Sequence, residues 1–206
     1  PKDCLVIDLC GVKRFVCREI GTLLEGRAVT FIGGHPMAGR EFFGFDAALP
    51  DLFQGASMIL TPDESVSRSQ LLLAELFFRR LGFSMVVHTT PEKHDEMIAL
   101  TSQLAHIVSS AYVQCPAARG HMGFSAGSFH DMTRVAKLHE GMWTELFLLN
   151  PDFLADQIGQ LVDNLEAFKE AIVQGDERRM HAMLREGRRI KEGRNQQRGQ
   201  ALPQGQ

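Results

Sequence analysis

His35 is the side chain with the clearest capacity for acid–base chemistry in this sequence. Five β-favouring residues, 28–32, run into two glycines, this histidine and a proline. The pattern predicts a buried strand that ends in a tight loop, and ligands of open α/β sheets bind beyond the carboxyl ends of strands. Glu41 is the other acid or base of the loop. A structural histidine in a glycine-rich turn is the alternative.

A second group of polar side chains lies in apolar segments further along the chain. Ser102, Gln103 and His106 fall on a predicted buried helix, where Ser102 and His106 are four residues apart and share one face. Arg134 has apolar neighbours, and a buried guanidinium requires an anion, supplied by Asp131 or by a ligand. A cleft that holds an arginine and two histidines suits a small dianion.

Other kinds of site find less support. His88 and His94 are six residues apart across a predicted strand–helix junction, whereas His94 and His106 are separated by about 18 Å of helix. No metal site is therefore predicted. No cysteine has a clear base partner for nucleophilic catalysis, and the dinucleotide fingerprint GxGxxG and the P-loop are both missing from the sequence.

The composition is that of a soluble globular protein. Of 206 residues 44% are hydrophobic and 23% are charged, and the net charge of −3 gives no general affinity for nucleic acid. No apolar run approaches the roughly 20 residues of a membrane span. The four cysteines form no CxxC pair and are read as reduced thiols of a cytoplasmic protein.

Strands alternate with helices in the first part of the chain, and helices alone follow. Thr61, Pro62 and Glu64 predict a capped helix start, as do Thr90 and its successors. The predicted strands are residues 4–8, 28–32, 57–60 and 83–88, and the main predicted helices are residues 12–24, 62–81, 91–114, 141–149, 151–174 and 177–192.

These elements predict a boundary near residue 90 between a sheet-containing part and an all-helical part. From Leu154 to Ile172 apolar residues recur at alternating spacings of three and four, which is typical of a helix-pairing seam. Residues 193–206 have almost nothing to bury and predict a disordered tail. The chain opens with Pro1 and enters a strand by Cys4, so we expect that an upstream segment is missing.

Four separated motifs resemble the prephenate dehydrogenase family in order and spacing, over about residues 3–190. They are Gly33-Gly-His-Pro-Met-Ala-Gly39, His94-Asp95, Thr101-Ser-Gln-Leu-Ala-His106 and Asp131-Met-Thr-Arg-Val-Ala136, and Met142-Trp143 followed by Phe147-Leu-Leu-Asn150 also fits.

The resemblance implies an α/β part followed by an all-α part. Residues 1–89 would be the C-terminal remnant of a Rossmann domain, and residues 90–192 a helical dimerisation domain like that of 6-phosphogluconate dehydrogenase. The family oxidatively decarboxylates prephenate to 4-hydroxyphenylpyruvate in tyrosine biosynthesis, with NAD or NADP as hydride acceptor; some relatives use arogenate.

The resemblance also implies roles for individual residues. His35 would accept a hydrogen bond from the ring hydroxyl of the substrate, and Arg134 would bind a substrate carboxylate. His106, Gln103 and Ser102 would complete the substrate pocket, and the helical domain would form a homodimer.

Three departures from the family pattern concern the site. Gly11 stands at the position of a serine that in the family helps hold the substrate hydroxyl and the nicotinamide, and by the resemblance Gly11 would still lie on the nicotinamide side of the site. Arg40 replaces a small hydroxyl residue, and Gln103 with Ala105 replaces a common His and Pro. The family's glycine-rich phosphate site and its ribose-binding acid are also missing from this sequence.

Three interpretations therefore stay open. The chain is a fragment of a prephenate or arogenate dehydrogenase, a cofactor-less relative that binds an aromatic-pathway acid and regulates another process, or a helical dimerisation module whose half-sheet pairs with a separate chain carrying the cofactor half.

Overall fold

The computed structural model describes residues 4–39 and 44–201, with side chains described up to residue 193. Arg40 and Glu41 lie outside the described residues. The chain divides into two compact units, residues 1–157 and 158–206. This division does not follow the boundary near residue 90, which stays a prediction.

Four strands form one sheet in the first unit, in the order β1-β2-β3-β4. They are Cys4–Ile7, Val29–Pro36, Ser57–Thr61 and Met85–His88. β1 pairs with β2 in parallel, β2 with β3 antiparallel, and β3 with β4 in parallel. Helix α1, Arg14–Leu24, connects β1 to β2, which confirms the predicted β–α–β crossover.

The second strand is longer than the sequence predicts, because Gly33 and Gly34 continue it instead of forming a loop. They pair with Thr61 and Leu60 of β3. A Cβ atom on Gly34 would lie 2.5 Å from the carbonyl oxygen of Asp8, so this glycine permits close strand packing. His35 consequently lies in the strand, where it pairs with Ile59 of β3.

The helix after β3 begins later than predicted. Thr61 belongs to β3, and the N-cap of α2, Arg68–Arg80, is Ser67. Ser67 and Gln70 form a capping box, which satisfies backbone N–H groups at the helix start. This helix covers the sheet core, which consists of Ile32, Met58, Leu60, Ala74, Phe78 and Phe83.

Only helices follow β4 within the described residues. Thr90 caps α3, Pro91–Ile98, as predicted. A π-helical segment, Ala99–Gln103, joins α3 to α4, Leu104–Val113. Two short helices then follow, α5 (Gly127–Thr133) and α6 (Glu140–Leu148).

Two long helices complete the chain, α7 (Pro151–Gln174) and α8 (Glu177–Ala201). Gly175 has φ +64°, and the Asp176 side chain accepts a hydrogen bond from the Arg179 backbone N–H at 2.9 Å, as expected for a helix break followed by a cap. The predicted disorder from residue 193 is wrong as far as Ala201, since Glu, Arg and Gln favour helix without a core. Among the described residues, every helix is too short or too polar to cross a membrane.

Candidate functional site

A cavity of about 850 Å³ lies beside the end of β2 in the first unit. Six of the residues that the sequence singled out for a site contribute to its lining: Gly11, His35, Ser102, Gln103, His106 and Arg134. A second cavity of about 540 Å³ lies between β1 and α2 and has only apolar side chains in its lining. The first cavity is therefore the one with groups for chemistry.

His35 begins a hydrogen-bonded chain of three side chains. Its Nδ1 lies 2.8 Å from Nε2 of His94, and Nδ1 of His94 lies 2.7 Å from Oδ1 of Asp95. Because an ionised carboxylate only accepts, His94 donates through Nδ1, and in the neutral His94 ring Nε2 is then the acceptor. With this neutral tautomer of His94, His35 donates through Nδ1, and its own neutral ring keeps Nε2 as an unprotonated acceptor.

Asp95 is held ionised at the far end of this chain. Burial acts to raise the pKa of its carboxyl, but the hydrogen bond from His94 and the backbone N–H groups of Arg14 and Lys13 lower it, and the net pKa lies below the usual range. These N–H groups lie 2.8 and 2.7 Å from the carboxylate oxygens, at the start of α1. The helix N-terminus adds a favourable partial charge.

Lys13 and Asp8 fix the main chain next to His35. The fully buried Lys13 ammonium donates to the Asp8 carboxylate and, at 2.6 Å, to the carbonyl oxygen of Gly34. The other Asp8 oxygen accepts the Gly34 N–H at 2.9 Å. The N–H group and the carbonyl oxygen of Gly34, the residue before His35, are therefore both bound by the Lys13–Asp8 ion pair.

His35 is a neutral base at physiological pH. Burial, then the proximity of His94 and of the Lys13 ammonium, lowers its pKa from 6.5 to about 4. A neutral imidazole with a free lone pair on Nε2 can accept a hydrogen bond and then a proton from a hydroxyl group in the cavity.

The lowered pKa predicts a pH-dependent stability. Between about pH 6.5 and pH 4 the unfolded chain binds a proton at His35 that the folded chain does not, so stability falls as pH falls through this window. His35→Asn should lose less stability over that window than the wild type, measured as Tm against pH. The exposed His181→Asn is the control, and identical pH profiles for His35→Asn and wild type would contradict the account.

His106 and Trp143 also line the cavity, and their rings are in contact at a tilted angle. Their ring centroids are 4.0 Å apart at an interplanar angle of 31°. Nδ1 of His106 lies 2.8 Å from the backbone carbonyl oxygen of Ser102, and since a carbonyl only accepts, this nitrogen carries a proton. Ser102 and His106 share one face of the helix, as their spacing predicts.

Arg134 lies in the lining but is exposed, so the prediction of a buried arginine was wrong. Its neighbours Val135 and Ala136 are only half-buried, so this segment lies near the surface. Lys137 and His139 follow in the same lining. This side of the cavity is therefore rich in cationic and hydrogen-bonding groups.

Gln103 was predicted to contact the substrate, but its side-chain amide forms hydrogen bonds within the protein. It is 2% exposed, its Nε2 donates to the carbonyl oxygen of Leu146 at 2.8 Å, and its Oε1 accepts from Asn150 at 2.9 Å. The amide is therefore used at both ends within the protein and shapes the cavity wall.

Two sequence models match almost the whole chain. Residues 1–87 match "Prephenate dehydrogenase, nucleotide-binding domain", and residues 90–186 match "Prephenate dehydrogenase, dimerization domain". The chain belongs to the prephenate dehydrogenase family.

Curated relatives and solved structures agree with this family. The chain is 30% identical to the cyclohexadienyl dehydrogenase of Zymomonas mobilis, over 85% of this chain and 61% of the relative. It is also 30% identical to the prephenate dehydrogenase of Lactococcus lactis, over 97% of this chain and 55% of the relative. The chain thus spans little more than half the length of these relatives.

Two solved structures are similar over 92% of this chain. Synechocystis arogenate dehydrogenase is 25% identical with a TM-score of 0.77, and the match covers 69% of that chain. Prephenate dehydrogenase from A. aeolicus, in complex with hydroxyphenyl propionate and NAD+, is 29% identical with a TM-score of 0.76, and the match covers 66% of that chain.

Sequence reasoning on this prephenate dehydrogenase family member missed the partners of His35. His94 was weighed as a metal ligand and named in a family motif without a role of its own, whereas His88 pairs with Glu75 at 3.1 Å and His94 binds His35. The available signal was the predicted helix start at Thr90, which places His94 and Asp95 in the first turns after a strand.

A G-x-S-x-G pattern occurs at residues 123–127, with Ser125 Oγ 3.0 Å from Nδ1 of His121. In a nucleophile elbow such a serine lies in a tight strand-to-helix turn. Here Ser125 lies between a 3₁₀ turn, Pro116–Gly120, and α5. The pattern is therefore not evidence for a serine nucleophile in this family member.

Proposed function

We propose that this chain supplies the substrate site of an enzyme that oxidatively decarboxylates prephenate to 4-hydroxyphenylpyruvate, with NAD or NADP as hydride acceptor. The observation that carries the proposal is that His35, hydrogen-bonded through Nδ1 to His94, lines the same cavity as Arg134. A hydroxyl acceptor and a cation match the two functional groups of a hydroxylated ring acid.

The chain's own residues account for binding and proton transfer. Arg134 holds a substrate carboxylate by charge-assisted hydrogen bonds. Nε2 of His35 accepts the hydrogen bond of the ring hydroxyl and takes its proton as the hydroxyl-bearing carbon is oxidised. Loss of the ring carboxyl group as CO₂ then makes the ring aromatic, and the proton held by His35 returns to the resulting phenolate oxygen. Asp95 is hydrogen-bonded to His94, which is hydrogen-bonded to His35. The negative charge of Asp95 therefore stabilises the imidazolium that forms at His35.

A nicotinamide cofactor, when bound, supplies the hydride acceptor. The residues present do not form a complete dinucleotide site, because these 206 residues contain no GxGxxG to bring backbone N–H groups to a pyrophosphate. Gly11 lies in the cavity lining next to His35, where we place the nicotinamide side of the site. The A. aeolicus relative was solved with NAD+, which favours this class of cofactor.

The charges of the cavity favour prephenate over arogenate. Arg134 and Lys137 are in the lining, and none of its described residues is an Asp or Glu. Arogenate carries an ammonium group where prephenate has a ketone, and that ammonium would lack an acidic partner here. Residues 40–43, including Glu41, lie outside this comparison.

We also propose a homodimer in the cytoplasm. The second matched model is described as a dimerization domain, and α7 exposes apolar side chains at Val162, Leu165, Ile172 and Val173. Such a surface along a long helix is suited to pairing with a second copy. The four cysteines are free thiols, which fits a reducing compartment.

Calorimetric titration of the chain with prephenate and with arogenate, without cofactor, tests the substrate proposal. We expect prephenate to bind and arogenate to bind at least about tenfold more weakly, since an unpaired ammonium costs more than 1.4 kcal/mol. If neither acid binds, the proposed function is wrong. If arogenate binds as tightly as prephenate, only the preference is wrong.

Gly11→Ser should restore a hydroxyl beside the base. A Cβ atom at this position lies 4.0 Å from Nε2 of His35 and 3.3 Å from Cδ2 of Leu146, so a small shift of that leucine accommodates it. We expect binding of 3-(4-hydroxyphenyl)propionate to strengthen about fivefold, from one added hydrogen bond of about 1 kcal/mol. Gly11→Ala is the matched control, and equal affinities for the two variants would contradict the prediction.

A further inference from the structure

The helix that carries the polar wall of the cavity is interrupted by the π-helical segment Ala99–Gln103. Such segments are rare, and they occur frequently at functional sites. Ser102 and Gln103 belong to the segment, His106 follows one turn later, and all three line the cavity. The contacts that stabilise this segment therefore also set the position of the cavity wall.

Gln103 joins the segment to two other parts of the fold. It donates to the backbone of Leu146 in α6, the helix that also presents Trp143 to the cavity. It accepts from Asn150, the residue immediately before α7. The amide of Gln103 therefore connects Asn150 to the π-helical segment and to α6, both of which contribute residues to the cavity lining.

Asn150 is fully buried and uses both polar atoms of its side chain. Nδ2 donates to the backbone carbonyl oxygen of Asp95 and to Oε1 of Gln103, each at 2.9 Å. Oδ1 accepts from Nη2 of Arg14 at 3.0 Å. The side chain of Asn150 is therefore bound to the backbone of Asp95, to Gln103 in the cavity lining and to Arg14 of α1.

We propose that Asn150 is a positioning residue of this site, which fixes Asp95 relative to Gln103 and so aligns the histidine chain with the substrate-binding wall. The role rests on the proposed function, and Asn150 itself acts only through Asp95 and Gln103. An amide is suited to it because it donates twice while accepting once, which neither Asp nor a hydroxyl residue does.

Asn150→Asp separates this role from simple packing. The carboxylate keeps the shape and the acceptor for Arg14 but removes both donors, so Asp95 and Gln103 lose their common anchor. We expect about tenfold weaker binding of 3-(4-hydroxyphenyl)propionate and a changed ¹H NMR signal of the His94 Nδ1–H. The exposed Asn164→Asp, within α7, should change neither readout.

Gln103→Glu tests only the connection between Gln103 and α6. It also provides a test if Asn150→Asp does not fold. It keeps the acceptor for Asn150 but loses the donor to Leu146, so we expect weaker ligand binding with the His94 signal unchanged. The proposal is overturned if Asn150→Asp lowers only Tm, or if Gln103→Glu binds the ligand as the wild type does. The His94 signal needs no ligand, so it tests Asn150 even if the proposed function is wrong.

Discussion

His35→Asn is expected to lower kcat for prephenate by about 10²- to 10⁴-fold, the range of general base catalysis. The asparagine amide can still donate to Nε2 of His94 in place of Nδ1, so the buried chain keeps its partner. It has no counterpart of the unprotonated Nε2, and the hydroxyl proton then has no acceptor. The Kd for prephenate should change much less than kcat.

Steady-state kinetics with added NAD or NADP and calorimetry with prephenate measure the two parameters separately. His181→Asn, on the exposed face of α8, is the control for the loss of a histidine. If the chain shows no turnover without its relatives' additional length, the test is the ratio of affinities for 3-(4-hydroxyphenyl)propionate and 3-phenylpropionate. That ratio should fall towards one in His35→Asn. An unchanged ratio would show that His35 does not bind the ligand's hydroxyl group.

Arg134→Ala is expected to weaken prephenate binding about 10- to 100-fold without altering the fold. Hydrogen bonds to charged groups contribute about 1.5–3 kcal/mol, and each 1.4 kcal/mol is a factor of ten in Kd. Since Arg134 is exposed, its removal should leave Tm nearly unchanged and should reduce the salt dependence of binding. Calorimetry at two salt concentrations measures both effects.

Two further arginine variants complete this test. Arg134→Lys keeps the charge but loses the planar pair of donors, so its Kd should fall between those of wild type and Arg134→Ala. Arg68→Ala, at the exposed start of α2, removes a charge away from the cavity and should bind prephenate normally. A wild-type Kd for Arg134→Ala would remove this arginine from the binding site.

Local pattern was sufficient to predict most elements of the fold. Apolar periodicity and caps predicted the alternation of strands and helices, and the cap at Thr90 is confirmed. The helix start at Thr61 was wrong because Thr61 pairs with Gly33 in the sheet, a tertiary contact that outweighs a local capping pattern. The extent of β2 was wrong for the same reason.

The predicted site residues line one cavity, but the sequence did not indicate the hydrogen bonds that connect them to the rest of the protein. His35 and His94 are far apart in sequence, and nothing in local periodicity indicates that Nδ1 of His35 lies 2.8 Å from Nε2 of His94. Gln103 was expected to contact substrate because its position faces a cleft, whereas its hydrogen bonds depend on Asn150 from a distant helix start. Such pairings are set by packing between elements, which spacing within one element does not contain.

The most direct test of the account is the protonation state of His35, read from ¹⁵N NMR of histidine-labelled chain at pH 7.5. The account predicts a proton on Nδ1 and an unprotonated Nε2, whose resonance shifts when 3-(4-hydroxyphenyl)propionate is added and shifts much less with 3-phenylpropionate. A proton on Nε2 in the free chain, or an imidazolium at this pH, would contradict the hydrogen-bonded chain to Asp95 and with it the proposed base.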